Sequence, residues 1–272
     1  MPPIAVCQTN TSDDIIRNLE STSVLAREAA SSGALAMFLP ECFALMQTSR
    51  RQLRESAETP GKGVIQDHMA ALARETGMML FAGSLPVRSD DPGRVFNTSM
   101  VFGPDGNCAA RYDKIHLFDV CLESGEQFLE SAYTMPGEQP AVVDSALGRI
   151  GLSVCYDLRF PELYRQLVSL GAEILLVPSA FSPTTGPAHW EPLLRARAIE
   201  NFCWVIAAAQ TGRHPSGRST WGHSMVVDPW GRVVAEKKQG PGLFLAEIDH
   251  TETIRARRQL PSLDHRRLQV AG

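Results

Sequence analysis

The chain has 272 residues, of which 44% are hydrophobic, and a formal net charge of −4; that is ample for one α/β domain and gives no footprint for a polyanion such as nucleic acid. Its six cysteines, at 7, 42, 108, 121, 155 and 203, lie scattered with no CxxC pair, metal-ligand spacing or disulfide framework, which suits a reducing compartment. No apolar run approaches the ~20 residues of a membrane span, and no signal-peptide pattern opens the chain, so the expectation is a soluble cytoplasmic protein.

Residues 4–8 read as a first strand. Ser12 or Thr11 is expected to cap a helix whose apolar face runs Ile15, Ile16, Leu19, Ala26 and Ala30, with Gly33 as its stop. Residues 34–39 return as a buried strand that ends in Pro40-Glu41. Beyond a polar stretch, Gly61 and Gly63 precede a helix over 64–76 with Ile65, Met69, Leu72 and Ala73 on one side and Gly77 as its end. Residues 78–85 read as one strand. Residues 95–102 and 108–112 flank Gly103-Pro104-Asp105-Gly106 and read as a hairpin whose second arm delivers Asp113 and Lys114.

Residues 115–137 carry charges and glycines without a clear period, longer than a connection needs, and such segments are often functional. Val142 and Val143 suggest a short strand. Residues 150–154 form a buried strand with Cys155 at its end, just before a helix that Pro161 opens. A strand over 173–177 ends in Pro178-Ser179. A loop over 179–188 then leads to a helix over 190–201 with Pro192 in its first turn, and an apolar strand spans 202–209. A second hairpin, 224–228 and 233–237, turns at Asp228-Pro229-Trp230-Gly231; a strand over 243–248 and a basic helix and tail complete the chain.

The hairpins at 100–106 (MVFGPDG) and 225–231 (MVVDPWG) echo one another, as do the strand ends LPE at 39–41 and VPS at 177–179. Two similar halves, each strand and helix alternating into a hairpin, predict two sheets packed face to face with helices outside.

Cys155 at a strand's carboxyl end stands where open α/β sheets place their chemistry. A helix N-terminus there would favour the thiolate, and the plain alternative is a small buried hydrophobe. A thiol nucleophile needs a base, an oxyanion donor and a proton for the leaving group. Glu41 and Lys114, both just past strand ends of the first half, could supply these, although each alone also reads as a solvated surface charge.

FLPE around Glu41, YDKIHLFDV around Lys114 and GLSVCYDLRFPELYR around Cys155 together resemble the three catalytic blocks of the nitrilase, or carbon–nitrogen hydrolase, superfamily, over residues 4 to about 267. The resemblance implies a four-layer αββα sandwich of two pseudo-symmetric halves, in a single domain over 1–272. It implies a Glu41, Lys114, Cys155 catalytic set, with Glu130 in FLESAYTMPG aligned with a second glutamate that positions the lysine. SAFSPTTGPAHWEPLLRARAIEN, AAAQTGRHPSGR and GHSMVVDPWG most resemble the deaminated glutathione amidase branch. The expected reaction is therefore hydrolysis of the side-chain amide of deaminated glutathione through a cysteine thioester, with release of ammonia. The alternatives are an ω-amidase acting on 2-oxoglutaramate, a carbamoyl- or nitrile-cleaving relative, and a non-catalytic redox or scaffold protein.

The Tyr156 amide is expected to join Lys114 as oxyanion donor. Arg159 is a candidate for a substrate carboxylate, with pairing to Asp157 or Glu162 as the alternative. Phe181, Thr184 and Thr185 are candidate substrate contacts, or ordinary loop packing. His116 and His189 read as structural hydrogen-bond partners. No cofactor is expected, since GxGxxG, P-loop and zinc patterns do not occur. The resemblance also implies a homodimer or larger assembly, with the tail from about 251 at its interface.

Overall fold

The computed structural model describes residues 3–121, 125 and 127–268. The first half contains β1 (Ile4–Gln8), α1 (Ile15–Ser31), β2 (Ala36–Phe38), α2 (Arg50–Glu55), α3 (Val64–Thr76), β3 (Met79–Phe81), β4 (Leu85–Arg88), β5 (Val95–Phe102) and β6 (Cys108–Asp113). Three short strands, β7 (Asp119–Cys121), β8 (Gln127–Leu129) and β9 (Thr134–Met135), connect it to the second half. There follow β10 (Ala141–Ser145), β11 (Gly148–Leu152), α4 (Pro161–Ser169), β12 (Ile174–Leu176), α5 (Gly186–Asn201), β13 (Trp204–Ala207), β14 (Thr211–Arg213), β15 (Ser219–Trp221), β16 (Ser224–Val227), β17 (Val233–Lys237), β18 (Gly242–Ala246) and α6 (His250–Gln259).

The halves share one topology. β1, β2 and β3 run parallel and β5 and β6 add antiparallel; β11, β12 and β13 do the same with β16 and β17. Successive side chains of a strand face opposite ways, and this sorts the core. Ile4, Val6, Ala36, Phe38 and Phe81 join a cluster with Ile150, Leu152, Ile174 and Leu176 of the other sheet, so these faces meet. Their neighbours Ala5, Cys7, Met37 and Leu80 instead pack on Leu19 and Ala26 of α1 and Ile65, Met69 and Leu72 of α3. Leu163 and Leu167 of α4 and Trp190 and Leu194 of α5 cover the second sheet. The layers are helix, sheet, sheet, helix, the four-layer sandwich with two similar halves.

Several local expectations are corrected. Asp14, not Ser12 or Thr11, caps α1 by accepting from the Arg17 N–H, while Ser12 is held by Asn18. Ile16 is exposed, since the buried face of α1 is set by Leu19, Ala26 and Ala29. The strand over 78–85 divides into β3 and β4 at Gly83, whose backbone has φ +34° against the Pro40 carbonyl. The helix expected from 190 begins at Gly186, leaving Pro192 inside it rather than in its first turn. The final strand crosses over: β18 pairs antiparallel with β1 and so extends the first sheet, as a chemically ordinary apolar strand gives no sign of its partner. α2 and the β14–β15 hairpin are additional elements, too short for a clear period.

Of the irregular segment 115–137, residues 122–124 and 126 lie outside the described residues, as do 269–272 of the tail.

Candidate active site

Two strand ends of the first half, those of β2 and β6, each lead to one charged side chain of the site. β2 ends at Phe38, and Leu39-Pro40 carry the chain to Glu41, buried at 4% exposure. β6 ends at Asp113, next to Lys114, buried at 2%. Lys114 Nζ donates to Glu41 Oε1 at 3.1 Å and to Glu130 Oε2 at 2.9 Å. Glu130, buried at the start of a 3₁₀ turn, also accepts the Phe118 N–H at 2.7 Å. Burial works against the Lys114 charge, but the two carboxylates outweigh it and hold the ammonium well above its ordinary range.

Cys155 comes from the second half. β11 stops at Leu152, and Ser153-Val154 lead to Cys155 at φ +50°, a conformation costly for a residue with a Cβ. The bond from Cys155 N–H to Pro178 O, 2.9 Å, and the following 3₁₀ turn over Cys155–Arg159 hold it there. The turn's first bond runs from Asp157 N–H to Val154 O, leaving the Tyr156 amide outside that ladder.

The thiol is not tuned as the helix argument expected. Burial pushes it up and the Glu41 charge pushes it further, while Lys114 and the Ala180 N–H offset only part. The reason is positional: the next element is a single 3₁₀ turn, and α4 begins only at Pro161. Glu41 moves the other way. Burial would raise it, yet Lys114, Arg218 and the hydrogen bonds from Cys155 and Lys114 leave its carboxyl below the ordinary range. The pair is therefore a neutral thiol beside an ionised carboxylate, with Ala180 N–H fixing Glu41 Oε2 at 2.8 Å.

Glu41, Lys114, Glu130, Cys155, Tyr156, Arg159, Phe181 and Thr185 line one pocket. Thr184 is exposed and does not line it, because α5 begins close by and turns that residue outward. Arg159 takes neither alternative carboxylate. Asp157 is fully buried and already accepts from Tyr112 Oη at 2.7 Å, His116 N–H at 3.0 Å and Val154 N–H at 2.8 Å. Arg159 instead donates to Thr185 Oγ1 at 3.3 Å and His189 Nδ1 at 3.1 Å, so His189 accepts with that nitrogen. His116 pairs with Asp157 at 2.7 Å and stacks on Phe160, a structural hydrogen-bond role as expected.

Asn97 and Arg218 are among the pocket residues that escaped the sequence reading. Asn97 on β5 donates to Glu41 Oε1 at 3.0 Å and reaches Glu130 Oε1 at 3.4 Å, bridging the carboxylates. Arg218, between β14 and β15, donates to the Ala180 carbonyl. Asn97 lies inside a strand and offers no local signal; Arg218 lies in the quoted AAAQTGRHPSGR stretch but only folding brings it near Glu41. Among the described residues no group of three or more His, Cys, Asp or Glu side chains is placed to hold a metal ion, and no helix is long and apolar enough to cross a membrane.

The family model for carbon-nitrogen hydrolases matches residues 3–258. A deaminated glutathione amidase of Bos taurus is 45% identical, covering 100% of this chain and 84% of that one. Another from Synechocystis sp. is 40% identical over 96% of this chain and 97% of its own. The crystal structure of the Caenorhabditis elegans NitFhit protein superposes with a TM-score of 0.93 at 38% identity, covering 99% of this chain and 66% of that longer chain.

Proposed function

The chain belongs to the carbon–nitrogen hydrolase family, and from that premise we propose that it is an amidase that hydrolyses deaminated glutathione through a thioester on Cys155. The observation that carries this reading is the meeting of Glu41, Lys114 and Cys155 in one pocket, from strand ends of two different sheets. The names of its relatives in Bos taurus and Synechocystis support the substrate.

In the first step Glu41 takes the Cys155 proton as Sγ bonds to the amide carbon. The neutral thiol beside an ionised carboxylate suits this coupled transfer, because no free thiolate need accumulate. The carbonyl oxygen becomes an oxyanion held by Lys114 Nζ and the Tyr156 N–H; one such donor is worth about 3–4 kcal/mol of barrier. Glu41 then gives its proton to the departing nitrogen as the C–N bond breaks. Water attacks the thioester, Glu41 accepts its proton, and the acid leaves with the thiol restored.

The leaving group follows from the substrate's covalent structure. Deaminated glutathione joins its 2-oxo acid to cysteinylglycine through a substituted amide, so an amine departs. Ammonia, expected above, is the product of a primary amide such as 2-oxoglutaramate. This difference separates the amidase reading from the ω-amidase alternative.

Arg159 is the proposed receptor for the 2-oxo acid's carboxylate, steadied by Thr185 and His189 with Phe181 beneath it, at 5.3 Å from guanidinium carbon to ring centre. We further propose a single domain that forms a homodimer or larger homo-oligomer in a reducing, cytoplasmic setting. Six free cysteines and exposed Ile254 and Leu260 near the tail support this; light scattering that finds only monomer would refute the assembly.

The test is a panel of deaminated glutathione, 2-oxoglutaramate and an N-carbamoyl amino acid, read for amine and ammonia separately, with the Cys155 adduct sought by mass spectrometry. Turnover of the carbamoyl compound alone, or unchanged hydrolysis by Cys155→Ala, would sink the proposal.

A further inference from the structure

The pocket holds a second guanidinium, Arg218, whose charge helps keep Glu41 ionised but which contacts no reacting atom in the mechanism above. It is half-buried, and among the described residues no carboxylate forms an ion pair with it. Its supports are neutral: the Ala180 carbonyl, and the Phe128 ring with its centre 5.6 Å away. Arg159 has the same character, lying over Tyr156 at 5.9 Å and Phe181 at 5.3 Å. Between them run the rings of Tyr156, Phe118 and Phe128, each neighbouring pair of centres 5.0 Å apart. The pocket is thus an aromatic wall with a cation at each end. With no carboxylate in contact among the described residues, and Glu41 felt only at longer range, a guanidinium taken partly out of water is primed for an incoming anion.

Arg218 is firmly placed. Its loop joins β14 and β15, and the Arg218 carbonyl accepts the His214 N–H at 2.8 Å. The buried His214 ring is pinned in turn between Thr11 O at 2.9 Å and Thr220 Oγ1 at 2.8 Å. Polarity along the wall follows from Ala180, whose carbonyl holds Arg218 while its N–H holds Glu41. Glu41 is the group that protonates the departing nitrogen in the proposed mechanism, so Arg218 stands at the leaving-group end.

We infer that Arg218 is a specificity residue that binds a carboxylate on the amine half of the substrate, while Arg159 holds the carboxylate on the acyl half. The inference rests on the amidase reading and deepens it: the preferred substrate is a doubly anionic amide whose leaving group is an acidic amine such as a dipeptide.

The experiment compares wild type, Arg218→Met and Arg218→Lys on deaminated glutathione, its C-terminal glycinamide analogue and 2-oxoglutaramate. Wild type is expected to favour the acid over the glycinamide. Arg218→Met is expected to lower kcat/KM for deaminated glutathione at least tenfold, mainly through KM, and to abolish its preference over the glycinamide, with Arg218→Lys recovering part of it. Equal proportional losses on all three compounds would overturn the inference, because Arg218 would then act through Glu41 or Ala180 on every substrate. A wild type indifferent to the terminal carboxylate would also overturn it and leave the amidase reading intact. A wild type inert toward all three would overturn that reading, and the inference with it.

Discussion

The hydroxyl of Tyr112 donates to Asp157 Oδ2 at 2.7 Å. Tyr112 lies two residues before Lys114 on β6 of the first sheet, and Asp157 two residues after Cys155 in the second half. One buried bond thus ties the segment that carries the ammonium to the turn that carries the thiol. Burial, then the Asp157 charge, holds the phenol well above its ordinary pKa, so it remains a donor.

Tyr112→Phe removes this tie while Asp157 keeps its bonds to His116 and Val154. The expected cost is about 1.5–3 kcal/mol, as for a bond to a charged group. Urea unfolding should show that loss, and kcat should fall with KM little changed. A variant of unaltered kcat would show that this link does not set the register of the two catalytic segments.

Glu130→Gln keeps the shape of Glu130 but removes a charge that holds Lys114. Lys114 retains Glu41 as a partner, so the fold should persist while the ammonium loses its fixed position. A fall in kcat of about 10–100-fold is expected, the scale of a displaced catalytic group. Asn97→Ala should act in the same direction, since Asn97 orients both carboxylates. Steady-state rates with circular dichroism as a fold control check both.

The thiol offers a test of sign. Glu41 raises the Cys155 pKa, so Glu41→Gln should lower the midpoint of its alkylation by iodoacetamide even as it abolishes turnover. In wild type that midpoint should lie above the ordinary thiol value of about 8.5. Because the Glu41 carboxyl is held below its ordinary value of 4.5, kcat/KM should hold through mild acid and fall only as pH drops beneath that value. An alkylation midpoint that stays put or rises in Glu41→Gln would contradict the assigned pairing.

Gly83 meets the chain just before Glu41. A Cβ added there would fall on the Pro40 carbonyl, and φ +34° already disfavours a side chain. Gly83→Ala is expected to cost about 2–4 kcal/mol through overpacking and backbone strain together. It should also depress kcat by moving Glu41. Thermal unfolding and the rate with a fixed substrate would reveal it, and a neutral effect on both would mean that the Pro40-Glu41 turn yields freely.

Much of this protein was legible locally. β1 and α3 form over the residues read from the sequence, because a short apolar run, paired glycines before the helix and Gly77 after it are short-range signals. The blocks around Glu41, Lys114 and Cys155 named the proposed reactive residues, since each block is contiguous. What only the tertiary structure decided is how those blocks act on one another. The raised thiol, the lowered Glu41 carboxyl and the pinned ammonium arise from burial and from charges contributed by distant segments, as do the bridging by Asn97 and the placing of Arg218. Hydrogen bonding and electrostatics depend on separation in space, and the chain's order does not contain those separations until its two sheets meet.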